Sequence, residues 1–299
     1  MEGLPLPIRR DFLPDSTRIF SRNSEWRPLP LRQFFHRFCQ EIPIQFRIQN
    51  PIASCGTTAP HNELIRLKDK RNLLCNMMHR LGPAQDQGLA LTDECSVAGA
   101  VRAHEAAKDC GLHLIHGSEF VWGSLKIVAL ARDLQGWGNL CEFITAARNR
   151  ADKGDYLVDE SSPWQLLNQG CECLLLPQRG KLDASDLIAV TACLEGVSGY
   201  LDAENLWLGV ELHLAPDDSL WLQTLQQAGA ALGLRLLACG DVHMHARSRK
   251  PLQDVVTAIR MGRTVAECGF ALQPNGERHL RSRLRLAALY PKAMLDATA

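Results

Sequence analysis

The sequence predicts an α/β fold in which a parallel sheet, open or closed into a barrel, is covered by helices. From Gly88 onward, short apolar runs with β-type residues alternate with amphipathic helical stretches. The apolar runs are almost continuous, which is typical of strands that are buried on both faces. With 46% hydrophobic and 22% charged residues, the 299-residue chain is also able to bury a core, which argues against a mostly disordered protein.

The predicted elements follow one another in the order that such a fold requires. Strands are predicted over residues 88–94, 112–120, 125–132, 171–177, 206–213, 234–241 and 264–269. Helices between them are predicted over residues 97–110, 134–150, 219–232 and 251–261. Pro251 supports the start of the last helix, because proline is favoured in a first helical turn.

The first 87 residues differ in character from the rest. Nine of the fifteen prolines lie in the first 83 residues, and Arg, Pro, Phe and Gln mix at short range without clean periodicity. We therefore expect residues 1–87 to be poorly structured, apart from one helix over residues 63–80.

Charge also divides the chain. The 33 basic and 33 acidic side chains cancel, but residues 81–243 carry 10 basic against 22 acidic, and residues 244–299 carry 10 against 4. A net charge of zero therefore does not exclude a nucleic-acid partner.

The cysteines and the apolar runs indicate the cellular compartment in which the protein is expected. The eleven cysteines are odd in number and include no CxxC pair. We expect a reduced, cytoplasmic protein whose cysteines are small core residues. No secretory signal or apolar run of ~18 residues is found, so we expect no membrane partner.

Polar side chains stand at four predicted strand ends, where the loops of a parallel α/β fold converge on one face. The candidate metal ligands there are Asp93, Glu119, His213, Asp241 and His243. Carboxylates and imidazoles suit Mn²⁺, Zn²⁺ or Mg²⁺, and closely spaced metals clamp a phosphoryl group. No catalytic residue beyond these ligands is assigned.

Four of these five residues also have a structural interpretation. Asp93 or Glu94 is suited to capping the following helix. Asp241 and His243 leave the same strand face and also fit a hydrogen-bonded pair without metal. His213 fits a polar residue at a strand edge.

The basic C-terminal part likewise has alternative interpretations. Its arginines and lysine are Arg247, Arg249, Lys250, Arg278, Arg281, Arg283 and Arg285. These residues are suited to binding the phosphates of DNA. Alternatively, they form the solvated face of a helix or a docking surface for another domain.

Three segments resemble a known family. They read LALTDECSVAGAVRAHEAAKDCGLHLIHGSEF, ARDLQGWGNLCEFIT and ACGDVHMHARSRKPLQDVVTAIRMGRTVAECGF. They are similar to the PHP (polymerase and histidinol phosphatase) domain of bacterial C-family DNA polymerases, within the error-prone branch. The resemblance covers residues 88–296, which we predict to be the PHP domain.

The resemblance implies a distorted (β/α)₇ barrel with a divalent metal site (Zn, Mn or Mg) at the strand ends. Asp93 matches the aspartate of the family's Thr-Asp motif, and Glu119 the glutamate of its Gly-x-Glu motif. Asp241 and His243 match its late Asp-x-His pair, and His213 lies near a third motif. Glu94 stands where active phosphoesterases of the family have histidine.

The family's first strand has no counterpart before Asp93, so we expect an incomplete barrel with its first strand missing or replaced. The resemblance implies part of a translesion polymerase in DNA repair, with DNA, polymerase modules and repair proteins as partners. We expect no nucleotidyl transfer by this chain alone. The alternatives are an independent metal-dependent phosphoesterase and a non-enzymatic interaction module.

Overall fold

The computed structural model describes residues 88–110 and 113–298, together with a two-residue strand at Gln45–Phe46. Apart from that strand, the predictions for residues 1–87, including the helix over residues 63–80, lie outside the described residues. Within the described part, no helix is long and apolar enough to cross a bilayer.

Seven strands form one sheet in which the spatial order is the chain order. They are β1 (Gln45–Phe46), β2 (Gly88–Glu94), β3 (His113–Trp122), β4 (Leu125–Ala131), β5 (Cys171–Pro177), β6 (Leu206–Glu211) and β7 (Arg235–Cys239). Beside β2, the described residues supply only the short β1, which pairs with it in parallel. In the described part of the chain, no pairing joins β7 back to β1, so the barrel is incomplete, as predicted.

The prediction that every strand runs parallel is wrong at β4. This strand pairs antiparallel with both β3 and β5, whereas all other neighbours are parallel. Only a short turn separates β3 from β4, and Gly123 adopts a positive φ of 58° there. A parallel pair needs a crossover of a dozen or more residues, so this connection permits only a hairpin.

The strand predicted over residues 264–269 is also wrong. Val265–Glu267 is a 3₁₀ turn, in which Thr264 and Glu267 form a capping box. Residues 264–267 are exposed, so their apolar side chains have no sheet on which to pack. The local capping chemistry therefore decides the structure here.

The sheet curls, so that strands from opposite edges share one interior. Ala90 of β2 belongs to the same buried cluster as Leu237 and Cys239 of β7. The cluster also contains Val128 of β4 and Leu174 of β5. On a flat sheet, β2 and β7 would lie five strand spacings of about 4.8 Å apart. The shared cluster therefore indicates a curled, barrel-like sheet.

Helices cover the outer face of the sheet. The longer ones are α1 (Ala100–Cys110), α2 (Leu134–Asn149), α4 (Leu187–Ser198), α5 (Asp218–Leu232) and α6 (Lys250–Met261); the shorter ones are α3 (Gln165–Asn168), α7 (Arg283–Leu289) and α8 (Lys292–Asp296). The main core lies between this layer and β3 to β7 and includes Phe120, Phe143 and Trp221.

Helix α2 starts very close to the loop before β5. Asp133 caps the helix by accepting a hydrogen bond from the Gly136 backbone N–H at 2.7 Å. A Cβ atom on Gly136 would lie 1.8 Å from the Gly170 carbonyl oxygen. The helix can therefore approach the loop this closely only with glycine at position 136.

We expect Gly136→Ala to destabilise the protein by about 1–3 kcal/mol, because helix and loop must separate to relieve the overlap. Gly138 lies in the same helix, and a Cβ atom there meets nothing within 4 Å. Gly138→Ala is therefore the matched control, expected to be stabilising by roughly 0.5–1 kcal/mol. Urea unfolding of both variants measures the difference; equal effects would contradict the packing argument.

Candidate functional site

Charged side chains converge at the edge of the barrel where the parallel strands end. Asp93 and Glu119 are each 1% exposed near the ends of β2 and β3. Glu211 ends β6, and Asp241 and His243 follow β7 and are buried. Carboxyl ends of parallel strands share one edge of a sheet, which is why residues so distant in sequence lie at the same edge.

The reversed strand β4 adds a lysine to this edge. Because β4 runs opposite to its neighbours, its amino end lies where theirs finish, and Lys126 is its second residue. The Lys126 ammonium lies 2.6 Å from Glu211 Oε1 and 3.5 Å from Asp241 Oδ2. Lys126 is not among the residues predicted from the sequence, because those all lie at the carboxyl ends of predicted strands. The short connection before residue 125 was the signal for a reversed strand.

Asp241 lies at the centre of the charged groups. Its Oδ1 is 3.2 Å from His243 Nε2, and its Oδ2 contacts the Arg278 guanidinium as well as Lys126. Gln253 Nε2 lies 3.4 Å from His243 Nδ1, on the other side of the imidazole. The structure thus brings Asp241 and His243 together, as the Asp-x-His spacing predicts.

Arg278 reaches the site from a segment near the C-terminus that lies against the continuation of β7. The backbone N–H groups of His243 and Met244 donate to the Arg278 carbonyl at 2.9 and 3.1 Å. The Leu280 N–H donates in return to the Met244 carbonyl at 3.1 Å. These backbone contacts fix the position of Arg278 relative to Asp241.

His213 is held at the same edge by backbone contacts. Its Nε2 lies 3.2 Å from the Gly240 carbonyl, and its own carbonyl accepts a hydrogen bond from Asn275 Nδ2 at 2.8 Å. Burial and the nearby Arg278 guanidinium lower the pKa of His213 to about 3. The imidazole is therefore neutral at physiological pH.

The Glu211 carboxyl group is ionised although it is largely buried. Burial by itself would raise the pKa of this carboxyl group, but the positive charges of Lys126 and Arg278 outweigh burial and lower the pKa to about 2. Glu211 and Lys126 are therefore a charged, largely buried pair.

The end of β2 presents its two carboxylates to different faces. Side chains alternate along a strand, so Asp93 shares a face with Leu91, whereas Glu94 shares the interior face with Ala90. The register pairs Glu94 with Glu119, which therefore lies on the interior face as well. Asp93 and Glu119, although both predicted as ligands, thus belong to opposite faces of the sheet.

The Glu94 carboxylate accepts a hydrogen bond from a tyrosine. No contact among the described residues shows Glu94 capping the following helix. The Tyr156 hydroxyl donates to Glu94 Oε1 at 2.8 Å and accepts from the Val121 N–H at 3.0 Å. Arg148 donates to the Cys95 carbonyl at 3.0 and 3.1 Å. These bonds secure the loop that follows β2.

Backbone strain marks the same edge. Among the described non-glycine residues, positive φ occurs at Cys95 (42°), Leu214 (55°) and Asp241 (40°). Each follows shortly after the end of β2, β6 or β7 respectively. Such conformations cost free energy and persist where surrounding contacts hold them, as at binding and catalytic edges.

These residues do not fit a metal cluster. No group of three or more His, Cys, Asp or Glu side chains in the described part of the chain is arranged to hold a metal ion. Of the predicted ligands, Asp241 contacts Lys126 and Arg278 through its Oδ2, and the neighbouring Glu211 contacts Lys126 through its Oε1. Metal ligation by Asp93, Glu119, His213, Asp241 and His243 stays a prediction.

The basic C-terminal residues do not form a single solvated face. Arg281 is 4% exposed, and Arg278 points to Asp241. Arg285 and Arg247 both contact Glu277, the former at 3.1 Å. Much of the positive charge at this end of the chain therefore serves internal ion pairs.

One tyrosine links the C-terminal helices to the site through hydrogen bonds. The buried Tyr290 hydroxyl donates to the Cys239 carbonyl at 2.7 Å and accepts from the Leu212 N–H at 2.9 Å. These two backbone groups belong to the ends of β6 and β7, so Tyr290 joins both strands to α7 and α8.

Over this region, the chain is similar to known proteins. Residues 75–229 match the family described as the PHP domain. The error-prone DNA polymerase of Methylococcus capsulatus is 48% identical over 219 residues, which is 73% of this chain and 20% of that protein. The error-prone DNA polymerase of Dechloromonas aromatica is 48% identical over 213 residues, 70% of this chain and 20% of that protein.

Among solved structures, an amidohydrolase from Chromobacterium violaceum has a TM-score of 0.43 and 13% identity, with 67% of this chain and 87% of that chain covered. The chain spans about one fifth of the length of the curated relatives named above. The domain bounds of 88–296 stay a prediction; the family match starts earlier and ends earlier.

We expect Tyr290→Phe to destabilise the protein by about 1–3 kcal/mol, because two buried backbone groups lose their hydrogen-bond partner. Tyr200→Phe is the control, because Tyr200 is 36% exposed and packs through its ring. Urea unfolding measures both. A Tyr290→Phe effect no larger than that of the control would show that the hydroxyl does not hold the strand ends.

Proposed function

This chain belongs to the PHP domain family, and we propose that it serves as the PHP module of an error-prone DNA polymerase that acts in DNA repair. The resemblance predicted from the sequence motifs is confirmed by the family match. The observation that carries the proposal is the 43–48% identity to curated error-prone DNA polymerases over about 70% of the chain.

The proposed role is to support a polymerase rather than to add nucleotides. The matched region is about one fifth of each relative, and we place nucleotide addition in the other four fifths. DNA, the other polymerase modules and repair proteins are then partners of the whole assembly. A reducing, cytoplasmic compartment is supported by the seven cysteines whose side chains are described, none of which forms a disulfide.

An exposed apolar face on α6 supports a module that docks on a larger protein. Leu252, Val255 and Ile259 lie along one side of this helix and are 52%, 45% and 65% exposed. Phe270, a little further along the chain, is completely exposed. Exposed apolar groups in such a row are typical of interaction surfaces.

The charge beside this face indicates the chemistry of its partner. Arg249, Arg260 and Arg263 flank the apolar side chains and are exposed. None of the ion pairs found within the described residues involves them. We therefore assign the face to the polymerase body, at a surface that is apolar in the centre and acidic at its border.

A chimeric enzyme tests the proposed function. Residues 88–298 of this chain replace the matched region of the Methylococcus capsulatus polymerase, and primer extension on a damaged template is measured. We expect activity within about tenfold of the parent, equivalent to about 1.4 kcal/mol. A folded chimera that has lost extension altogether would contradict the proposal.

The docking face is tested in the same chimera with Ile259→Asp. We expect a loss of primer extension of at least about tenfold, because a charge is then buried against the polymerase body. Ile188→Asp is the matched control, since Ile188 is 82% exposed on α4, and it is expected to leave extension unchanged. Equal effects of the two substitutions would show that α6 does not contact the polymerase body.

The alternative of an independent phosphoesterase makes a different prediction. Given the cations around Asp241, we expect no hydrolysis of p-nitrophenyl phosphate above background with Mn²⁺, Zn²⁺ or Mg²⁺. Metal-dependent turnover that Asp241→Asn abolishes would favour the phosphoesterase instead.

A further inference from the structure

We propose that two side-chain cations, Lys126 and Arg278, take the place of metal ions at the carboxyl edge of this PHP domain. They form a permanent clamp with Glu211 and Asp241, which we call the ion clamp. The inference concerns how this site is held together, and it stands whether or not the chain works within a polymerase.

The geometry places the two cations directly on carboxylate oxygens of Glu211 and Asp241. Lys126 bridges Glu211 Oε1 at 2.6 Å and Asp241 Oδ2 at 3.5 Å. Arg278 contacts that same Oδ2, and His243 Nε2 lies 3.2 Å from Oδ1. Both oxygens of Asp241 thus have charged or hydrogen-bonding neighbours from the protein itself.

The charges of these four groups balance without a metal. Two carboxylates face two cations, and the Asp241 and Lys126 side chains are 0% and 10% exposed. A divalent ion added to this arrangement would bring two further positive charges into a buried site, which is unfavourable unless a side-chain cation leaves. The clamp therefore competes directly with metal binding.

The clamp also joins parts of the chain that are far apart in sequence. Lys126 comes from β4, Glu211 from β6, and Asp241 follows β7. Arg278 arrives from a segment that bonds to His243 and Met244. Side-chain cations thus span the curled sheet from its reversed strand to its last strand.

The test removes the cations and asks whether a metal replaces them. We compare the full chain with a Lys126→Met/Arg278→Met double variant, using thermal melts and calorimetric titration with Zn²⁺ and Mn²⁺. The wild-type protein is expected to show no change in melting temperature on adding either ion or a chelator. The double variant is expected to melt at least about 5 °C lower in chelator and to regain much of that loss with metal.

Controls separate this effect from general loss of charge. Lys292→Met removes a lysine whose partner is the exposed Asp296, and neither stability nor metal response is expected to change. Arg278→Lys keeps a positive charge beside Asp241 and is expected to keep the protein insensitive to metal.

Two results would overturn the proposal. The first is stoichiometric binding of Zn²⁺ or Mn²⁺ by the wild-type protein together with a rise in its melting temperature. This measurement tests the proposal even if the double variant does not fold. The second is a folded double variant that metal fails to stabilise. Neither measurement uses polymerase activity, so failure of the chimeric enzyme would leave this inference untouched.

Discussion

The contact of Lys126 with Glu211 and Asp241 is the interaction on which the carboxyl edge of the barrel depends. Each carboxylate is largely withdrawn from water, where an isolated charge is very unfavourable. The lysine can meet both only because β4 runs against its neighbours and because the sheet curls. The ion pairs at this edge therefore follow from the direction of β4 and from the curvature of the sheet.

The other strand ends of this PHP domain are likewise held by contacts between protein groups. The Tyr156 hydroxyl donates a hydrogen bond to the Glu94 carboxylate at the end of β2. Arg278 and Lys126 supply the positive charge near Asp241. A scaffold of this kind suits a supporting module whose outer α6 face, rather than its strand ends, meets a partner. Fold and chemistry are in this way separable within one family.

Much of the fold could be predicted from the sequence, because buried strands and amphipathic helices leave clear patterns. The strands over residues 88–94 and 171–177 were predicted with the observed bounds. The direction of β4 was not, since apolar content alone carries no information on direction; only the short connection before it does. The strand predicted at 264–269 is wrong because exposure and capping outweighed β-type composition.

At the site, the alternation of side chains along each strand was a signal that the prediction did not use. It places Asp93 and Glu119 on opposite faces of the sheet. The arrival of Arg278 depends on long-range backbone pairing that no local pattern encodes.

The turn between β3 and β4 has a kinetic consequence. Gly123 allows two long strands to pair across a very short loop, so little chain entropy is lost when they meet. The ion clamp instead joins positions spread from residue 126 to residue 278, and it closes only when most of the chain is already arranged. Contacts that form after the transition state act on the unfolding rate rather than on the folding rate. We therefore expect changes in the hairpin to act mainly on the folding rate, and changes in the proposed clamp to act mainly on the unfolding rate.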